Sequence, residues 1–263
     1  MSWRKYLLVP RLAAAGLRHR PRPDEAWQSY WSAVGSTGPD GEVLWDGAGD
    51  QEYGWWRDTM RRHLDPALPV LDVGCGNGRL SRLAAADFPR VLGVDVSPAA
   101  VDLARRESTG LDRLSFRTAD ITADGAGAAL ADELGPANIV VRGVLHVLGE
   151  AERSRAVAAL GTVLGDRGTL VLLETNWPGD ALGYLEHLGG RGGRLPPAVD
   201  RLVRFGVPRP SSIGPQELPG LFPAPGWTVV ASGPVDISAV HSPGADGGRV
   251  IPGFHAVLRR SPG

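Results

Sequence analysis

The sequence is poor in two residue types on which many active sites depend. It contains one cysteine, Cys75, in 263 residues, which excludes an intramolecular disulfide framework and a zinc site built from several cysteines. Of its 28 basic residues only Lys5 is a lysine. A Schiff-base lysine, a P-loop lysine and a Ser-x-x-Lys nucleophile all require a lysine inside the fold, so we expect none of these chemistries.

The chain also lacks a strong excess of charge and a long apolar run. Basic and acidic residues number 28 and 29, whereas a dedicated nucleic-acid-binding protein should have a basic excess. No stretch reaches the roughly 18 consecutive apolar residues that span a bilayer, and the histidines show no metal-ligand spacing. We therefore expect a small-molecule partner, with no nucleic acid, no membrane span and no metal. The sequence leaves open whether the protein is a monomer or a homodimer.

The first 23 residues begin with basic and apolar residues, as a secretory signal does. However, Pro10 and Arg11 interrupt the apolar run, and further arginines follow it. We interpret this segment as a basic arm and expect a cytoplasmic protein.

Composition divides the chain into zones. Residues 1–68 hold six of the eight tryptophans and are expected to form an aromatic-rich cap or lid, whereas residues 69–263 are expected to form the core. Within the core, residues 178–253 contain 15 glycines and 12 prolines, a density that interrupts helices and central strands. We therefore predict a loop-rich, substrate-facing insertion at about 176–225.

Short β-branched runs alternate with helical stretches from residue 69 to residue 175. This alternation indicates a doubly wound, mostly parallel, Rossmann-like sheet with helices on both faces. Two later strand candidates would add an antiparallel pair at the sheet edge and bring the sheet to seven strands. The predicted strands are 69–74, 90–96, 114–120, 137–145, 168–175, 227–232 and 249–260, and the predicted helices are 79–87, 98–107, 126–134 and 150–164.

A glycine-rich loop, DVGCGNG at 72–78, joins the first predicted strand to the first predicted helix of the core. Its glycines let the backbone turn sharply and approach a ligand, while the helix N-terminus presents free amide groups. Position 79 is Arg and the third glycine is Gly78, so the spacing differs from the G-x-G-x-x-G of dinucleotide-binding folds. The loop therefore disfavours an NAD-dependent oxidoreductase.

Two further carboxylates end neighbouring predicted strands. Asp95 follows the second strand, where it can accept hydrogen bonds from a ribose diol, and Asp120 follows the third, where it can accept from an exocyclic amine. The carboxyl ends of parallel strands lie at one edge of the sheet, so the loop and both carboxylates predict one ligand cleft.

Five consecutive motifs give the chain a family resemblance. VLDVGCGNGRL, VLGVDVSPAAVDLAR, FRTADIT, NIVVRGVLHVL and GTLVLLE occur in this order between residues 68 and 175. Together they resemble the class I S-adenosylmethionine-dependent methyltransferases, and in particular the small-molecule branch that includes quinone-biosynthesis methyltransferases. The sequence lacks the Asn/Asp-Pro-Pro-aromatic motif after the fourth strand, which argues against methylation of exocyclic amines in DNA, RNA or protein.

The resemblance implies S-adenosylmethionine as cofactor, S-adenosylhomocysteine as product, and a role for each matching residue. Asp72 and the glycine loop would hold the methionine part of the cofactor, and Asp95 would bind the ribose. Asp120 would receive the adenine amine. The complete implied set is Asp72, Gly74, Cys75, Gly76, Gly78, Asp95, Val96, Asp120, Ile121, Arg142 and Gly143.

Two side chains near the fourth and fifth strands are candidate bases. His146 follows the fourth strand by a few residues, and the unperturbed pKa of a histidine lies near neutrality. Glu174 ends the fifth strand. The alternatives are a histidine that only contacts cofactor or backbone, and a solvated acid.

Aromatic residues outside the motifs are the candidate walls of a substrate pocket, because their faces attract a sulfonium and pack on apolar molecules. Packing of a helix onto the sheet is the alternative for Trp55 and Trp56. The candidates are Tyr53, Trp55, Trp56, Trp177 and Tyr184, together with His241 in the glycine- and proline-rich zone.

We therefore expect methyl transfer to an oxygen, carbon or nitrogen of a small, partly apolar metabolite in specialised metabolism. Two alternatives keep the fold. One is an enzyme that uses the same cofactor for a cyclisation, a rearrangement or a decarboxylation, and the other is a cofactor-binding regulatory module.

Overall fold

A seven-stranded sheet lies at the centre of the protein, with strand order β3-β2-β1-β4-β5-β7-β6. The structure is a computed structural model that describes residues 21–47, 50–240 and 250–261. Strands β1 to β5 are parallel, and β7 and β6 continue the sheet antiparallel. The strands are β1 Val70–Val73, β2 Val91–Asp95, β3 Leu114–Thr118, β4 Asn138–Arg142, β5 Leu170–Thr175, β6 Trp227–Ser238 and β7 Val250–Arg260.

Helices cover both faces of this sheet. Their ends carry the expected signals: Ser97, for example, caps α4 by accepting a hydrogen bond from the Ala100 amide, and Pro98 occupies the first helical position. The helices are α1 Pro23–Ser32, α2 Asp50–His63, α3 Arg79–Ala85, α4 Pro98–Glu107, α5 Ala126–Leu134, α6 Glu150–Leu164, α7 Ala181–His187, α8 Pro197–Phe205 and α9 Leu218–Leu221, with a short 3-10 helix at Leu145–Val147.

The inner parallel strands β1, β2, β4 and β5 are buried on both faces, whereas β3 at the edge of the sheet is partly exposed. On one face, Ile139 and Leu172 pack with Leu130 of α5 and Leu160 of α6. On the other face, Val140 and Val171 pack with residues of α2, α3 and α8, including Trp56. The Rossmann-like fold predicted from the alternation of strands and helices is confirmed.

The antiparallel pair at the edge is also confirmed, but β6 extends six residues beyond the predicted end at 232. The strand continues through Pro234 because β6 is the outer strand of the sheet, and an edge strand tolerates a proline. Between β5 and β6, helices α7, α8 and α9 are short and separated by longer stretches without regular structure. None of the helices in the described ranges is long and apolar enough to cross a membrane.

Candidate functional site

The glycine loop between β1 and α3 has a backbone that only glycine adopts readily. Gly74, Gly76 and Gly78 have φ of +71°, +53° and +77°. The loop is also tightly approached, since a Cβ at Gly76 would lie 2.8 Å from the Trp31 ring and one at Gly78 would lie 2.6 Å from Phe116. Cys75 between them is buried, and burial raises the pKa of its thiol. The conformation of the loop is thus fixed by its glycines and by close packing, and the loop carries no reactive thiol.

Asp95 lies at the carboxyl end of β2, directly beside this loop. One of its oxygens accepts the Gly76 amide at 3.0 Å and the other accepts the Ser97 amide at 2.9 Å. Burial raises the pKa of Asp95 to about 6, although these amides act in the opposite direction. Val96 follows as a partly exposed side chain.

The carboxylate of Asp72, to which the resemblance gives a role in holding the methionine part of the cofactor, is hydrogen-bonded inside the protein. It lies within β1, is buried, and accepts a hydrogen bond from the Ser81 hydroxyl of α3 at 2.5 Å. Burial raises the pKa of Asp72 to about 7, against the effect of this hydrogen bond. Its carboxylate therefore joins strand and helix beneath the loop rather than lining the cleft.

Asp120 and Ile121 lie beyond the end of β3, which stops two residues earlier than the predicted strand. Asp120 is exposed, and one of its oxygens accepts both the amide and the hydroxyl of Thr122. Ile121 is buried in the core. Asp120 thus closes a turn just after the carboxyl end of β3, and its second carboxylate oxygen is available to a ligand.

Arg142 ends β4 and is held by the N-terminal region (residues 21–47 and 50–68). Its Nε donates to Glu52 at 2.6 Å, and its Nη2 donates to Glu52 at 3.0 Å and to the Trp45 carbonyl at 2.8 Å. Burial acts to lower the pKa of Arg142, but Glu52, Tyr53 and Asp46 together outweigh it and raise this pKa. Gly143 follows at a φ of +72°, close to the His146 ring.

Three residues around Arg142 were not predicted as site residues. Arg79 donates to the backbone carbonyls of Asp46 and Gly47, and its guanidinium lies 4.1 Å from the centre of the Tyr53 ring. Asp46 is buried and accepts from the Asn77 side chain at 2.8 Å. Glu52 is fully buried beside Arg142. These contacts join residues far apart in the chain, and no local spacing indicates them.

His146 and Glu174 form a pair at the carboxyl ends of β4 and β5. His146 Nδ1 lies 2.6 Å from a Glu174 oxygen, and Glu174 also accepts the amides of Val144, Leu145 and His146. The Glu174 side chain is fully buried, so the alternative of a solvated acid is wrong. Because its oxygens are occupied by four groups, Glu174 is suited to orienting His146 and not to accepting a substrate proton itself.

The backbone of His146 is fixed from a second direction. Its carbonyl accepts the amide of Ser211 at 2.7 Å and the Ser211 hydroxyl at 2.9 Å, and Arg153 donates to the same hydroxyl at 2.6 Å. The stretch between α8 and α9 thereby holds the turn that carries His146.

Among the aromatic candidates in the described residues, Trp56 is fully buried and the others are partly buried. Trp56 is fully buried and packs α2 onto the sheet, so the structure contradicts its assignment to a pocket wall. Tyr53 stacks on Arg79 and does not present that face to a ligand. Trp177 and Tyr184 contact each other, with ring centres 5.6 Å apart, at the end of β5. His241 lies outside the described residues.

Trp55 lines a cavity of about 360 Å³ between α2 and β6. Strand pairing places Val235 and Asp236 opposite Gly253 and Pro252, at the level where β5 ends. The cavity therefore opens at the edge of the sheet that also carries the glycine loop. Its lining is Gln51, Glu52, Trp55, Pro234, Val235 and Asp236. Within the described residues, no group of three or more His, Cys, Asp or Glu is arranged to hold a metal.

Comparison with known proteins places this site in a known type of fold. Residues 70–168 match a family model described as a methyltransferase domain. The chain is 26% identical to a SAM-dependent methyltransferase from Anabaena variabilis, with a TM-score of 0.80 and coverage of 90% of this chain and 94% of that chain.

Two other solved structures support the fold. Magnesium protoporphyrin IX methyltransferase from Synechocystis, with bound SAH, is 20% identical over 81% of each chain, with a TM-score of 0.50. A protein from echinomycin biosynthesis, described with the conversion of a disulfide bond into a thioacetal group, is 20% identical with a TM-score of 0.62 over 85% of this chain and 88% of that chain.

Proposed function

We propose that the chain is a class I S-adenosylmethionine-dependent methyltransferase that methylates an oxygen, carbon or nitrogen of a small, partly apolar metabolite of specialised metabolism; the match of residues 70–168 to a methyltransferase domain and the likeness to a SAM-dependent methyltransferase support this proposal. The observation that carries this proposal is the buried pairing of His146 with Glu174 at the edge of the sheet that also bears the cofactor loop. A histidine oriented in this way is suited to removing a proton from an acceptor group.

The residues of the cleft fit the cofactor. Each Asp95 oxygen accepts one backbone amide, and a carboxylate has about four acceptor positions, so capacity remains for the two hydroxyls of a ribose. The three glycines carry no side chain and adopt the positive φ that the sharp turn of the loop requires. We assign the ribose to Asp95 and the methionine part to the loop and to Arg142 with Gly143.

When bound, S-adenosylmethionine supplies an electrophilic methyl group, and S-adenosylhomocysteine remains after the carbon–sulfur bond breaks. The protein orients the acceptor and removes its proton where it has one. We assign the proton to Nδ1, which faces a Glu174 oxygen at 2.6 Å, although the Thr175 amide also approaches Nδ1 at 3.3 Å. In this tautomer Nε2 is unprotonated and takes the proton from the acceptor.

The cavity beside Trp55 is our candidate for the acceptor site. Its volume of about 360 Å³ lies within the usual range for small-molecule sites. Trp55, Pro234 and Val235 supply apolar walls, and Gln51 and Asp236 supply hydrogen-bonding groups. This lining matches an acceptor that is partly apolar and partly polar.

The test is an incubation with S-adenosylmethionine carrying an isotopically labelled methyl group and a panel of small hydroxylated and aminated acceptors. We expect label in an acceptor product, together with an equal amount of S-adenosylhomocysteine. The His146→Gln variant should lose most of this turnover while retaining cofactor binding.

Two outcomes would contradict the proposal. An altered acceptor without the labelled methyl group would indicate a cyclisation, rearrangement or decarboxylation that uses the same cofactor. Cofactor binding without turnover of any acceptor would favour a regulatory module.

A further inference from the structure

Glu52, the third residue of α2, connects three separate parts of the chain through one buried carboxylate. Its side chain has no exposed surface, and its oxygens accept from Arg142 Nε at 2.6 Å and Nη2 at 3.0 Å. One oxygen also accepts the Ser238 amide of β6 at 2.7 Å. A buried carboxylate is stable only when it is paired and hydrogen-bonded, and Arg142 supplies that pairing from the end of β4.

The same guanidinium holds a second element of the N-terminal region. This element is residues 43–47, which we term the strap, and its Trp45 carbonyl accepts from Arg142 Nη2. From the opposite side, Arg79 and Asn77 next to the glycine loop bind the backbone and the carboxylate of Asp46. The strap therefore lies between the glycine loop and β4. It is bound by Arg79, which directly follows the loop, and by Arg142 of β4.

Contacts of the glycine loop with the N-terminal region are equally close. Gly76, whose amide binds Asp95, lies against the Trp31 ring of α1. Gln28 of α1 accepts the Ser97 hydroxyl at 2.8 Å and the Ala99 amide at 3.0 Å, at the start of α4. The groups expected to bind ribose and methionine are thus in contact with α1, the strap and α2.

We propose that Glu52 is a positioning residue for cofactor binding. By orienting the Arg142 guanidinium, it fastens α2 and the strap to the strand ends that carry the cofactor. Cofactor binding and the packing of the N-terminal region are therefore thermodynamically coupled. Thermodynamic coupling is reciprocal. The free energy by which the bound cofactor stabilises the packing of the strap must equal the free energy by which the packed strap strengthens cofactor binding. The inference rests on the cofactor site and does not depend on the identity of the acceptor.

The first test is calorimetric titration of S-adenosylhomocysteine into the full chain and its Glu52→Gln variant, which keeps the shape of the side chain and removes its charge. We expect the Kd to rise about tenfold, within the usual range of coupling between sites. Glu52→Asp should recover part of this loss. In an Arg142→Leu background the Glu52→Gln change should have little further effect, because the two residues act together.

Asp65→Asn is the matched control. Asp65 also joins the N-terminal region to the core, through Arg167 at 3.0 Å, but it lies on a more exposed part of the chain. This variant should bind S-adenosylhomocysteine like the unmodified protein. Thermal unfolding of each variant verifies that the titrated protein is folded, and if Glu52→Gln does not fold, Glu52→Asp replaces it.

The second test is hydrogen exchange of the strap amides. Addition of S-adenosylhomocysteine should slow exchange across residues 43–47 in the unmodified protein, and this slowing should shrink in Glu52→Asp. A folded Glu52→Gln or Glu52→Asp variant with unchanged affinity would overturn the proposal. Strap amides whose exchange rate does not change on addition of S-adenosylhomocysteine would also overturn it. Failure of the unmodified protein to bind S-adenosylhomocysteine would instead refute the cofactor site itself.

Discussion

On the glycine-loop side of the cleft the essential features lie close together in the chain, within residues 74–97, and most of them belong to the backbone. On the proposed acceptor side, Trp55 and Val235 line the cavity from α2 and β6, and His146 comes from the turn after β4, so this side draws on segments far apart in the chain. Glycine conformation and strand ends define the first side locally. The acceptor side forms only when the whole chain has folded. Its residues can therefore change without a change in the glycine loop.

The two neighbouring tryptophans of α2 test where the acceptor side ends and the core begins. Trp56→Ala should lower the free energy of unfolding by about 3–5 kcal/mol, because it empties a fully buried site. Trp55→Ala should cost less than half as much, since the Trp55 ring is only partly buried beside the cavity. Guanidinium denaturation measures both. Equal losses would place Trp55 in the core and remove it from the acceptor site.

Glycine substitutions test whether the loop is specified by backbone and close packing. Gly78→Ala should destabilise the protein by about 3 kcal/mol, which combines the cost of positive φ with overpacking against Phe116. Gly110→Ala is the matched control, because Gly110 has a φ of +86° but open space around it. It should cost only about 1–2 kcal/mol. Urea denaturation that gives the same loss for both would contradict the close packing of the loop.

The buried carboxyl of Asp72 makes the cofactor side sensitive to pH. Its pKa rises from 3.8 to about 7 on folding, so the folded chain holds this proton more tightly than the unfolded chain does. The resulting stabilisation is complete below pH 3.8 and is lost as the pH rises through about 7. Asp72→Asn should therefore reduce the loss of stability between pH 5 and pH 8 by roughly 2 kcal/mol. If the free energy of unfolding fell by the same amount over this pH range in the variant and in the unmodified protein, this account would be contradicted.

The sequence predicted the fold around the glycine loop well because the signals there are local. Helices α4, α5 and α6 match their predicted ranges, and Gly74, Gly76 and Gly78 have the positive φ values that a glycine loop suggests. The errors concern orientation: Asp72 faces α3 and Trp56 faces the core. Periodicity cannot distinguish a cleft-facing side chain from a buried one at the same strand end or on the same helix.

Contacts between residues far apart in the chain could not be predicted from the sequence. On the proposed cofactor side Glu52 binds Arg142, and on the proposed acceptor side Ser211 binds the His146 carbonyl, through side chains whose pairing has no sequence spacing. Glu174 was identified as a candidate base, but its acceptance of three backbone amides could not be anticipated from its place at a strand end.

The most direct test of the difference between the two sides is the affinity for S-adenosylhomocysteine of Asp95→Ala compared with that of His146→Ala. The Asp95 carboxylate is assigned to the ribose, and loss of charge-assisted hydrogen bonds should raise the Kd about tenfold or more. His146 is assigned to the acceptor, so its variant should bind within about threefold of the unmodified protein. Calorimetry on both folded variants should give this order, and the reverse order would show that the cofactor and acceptor sides have been interchanged.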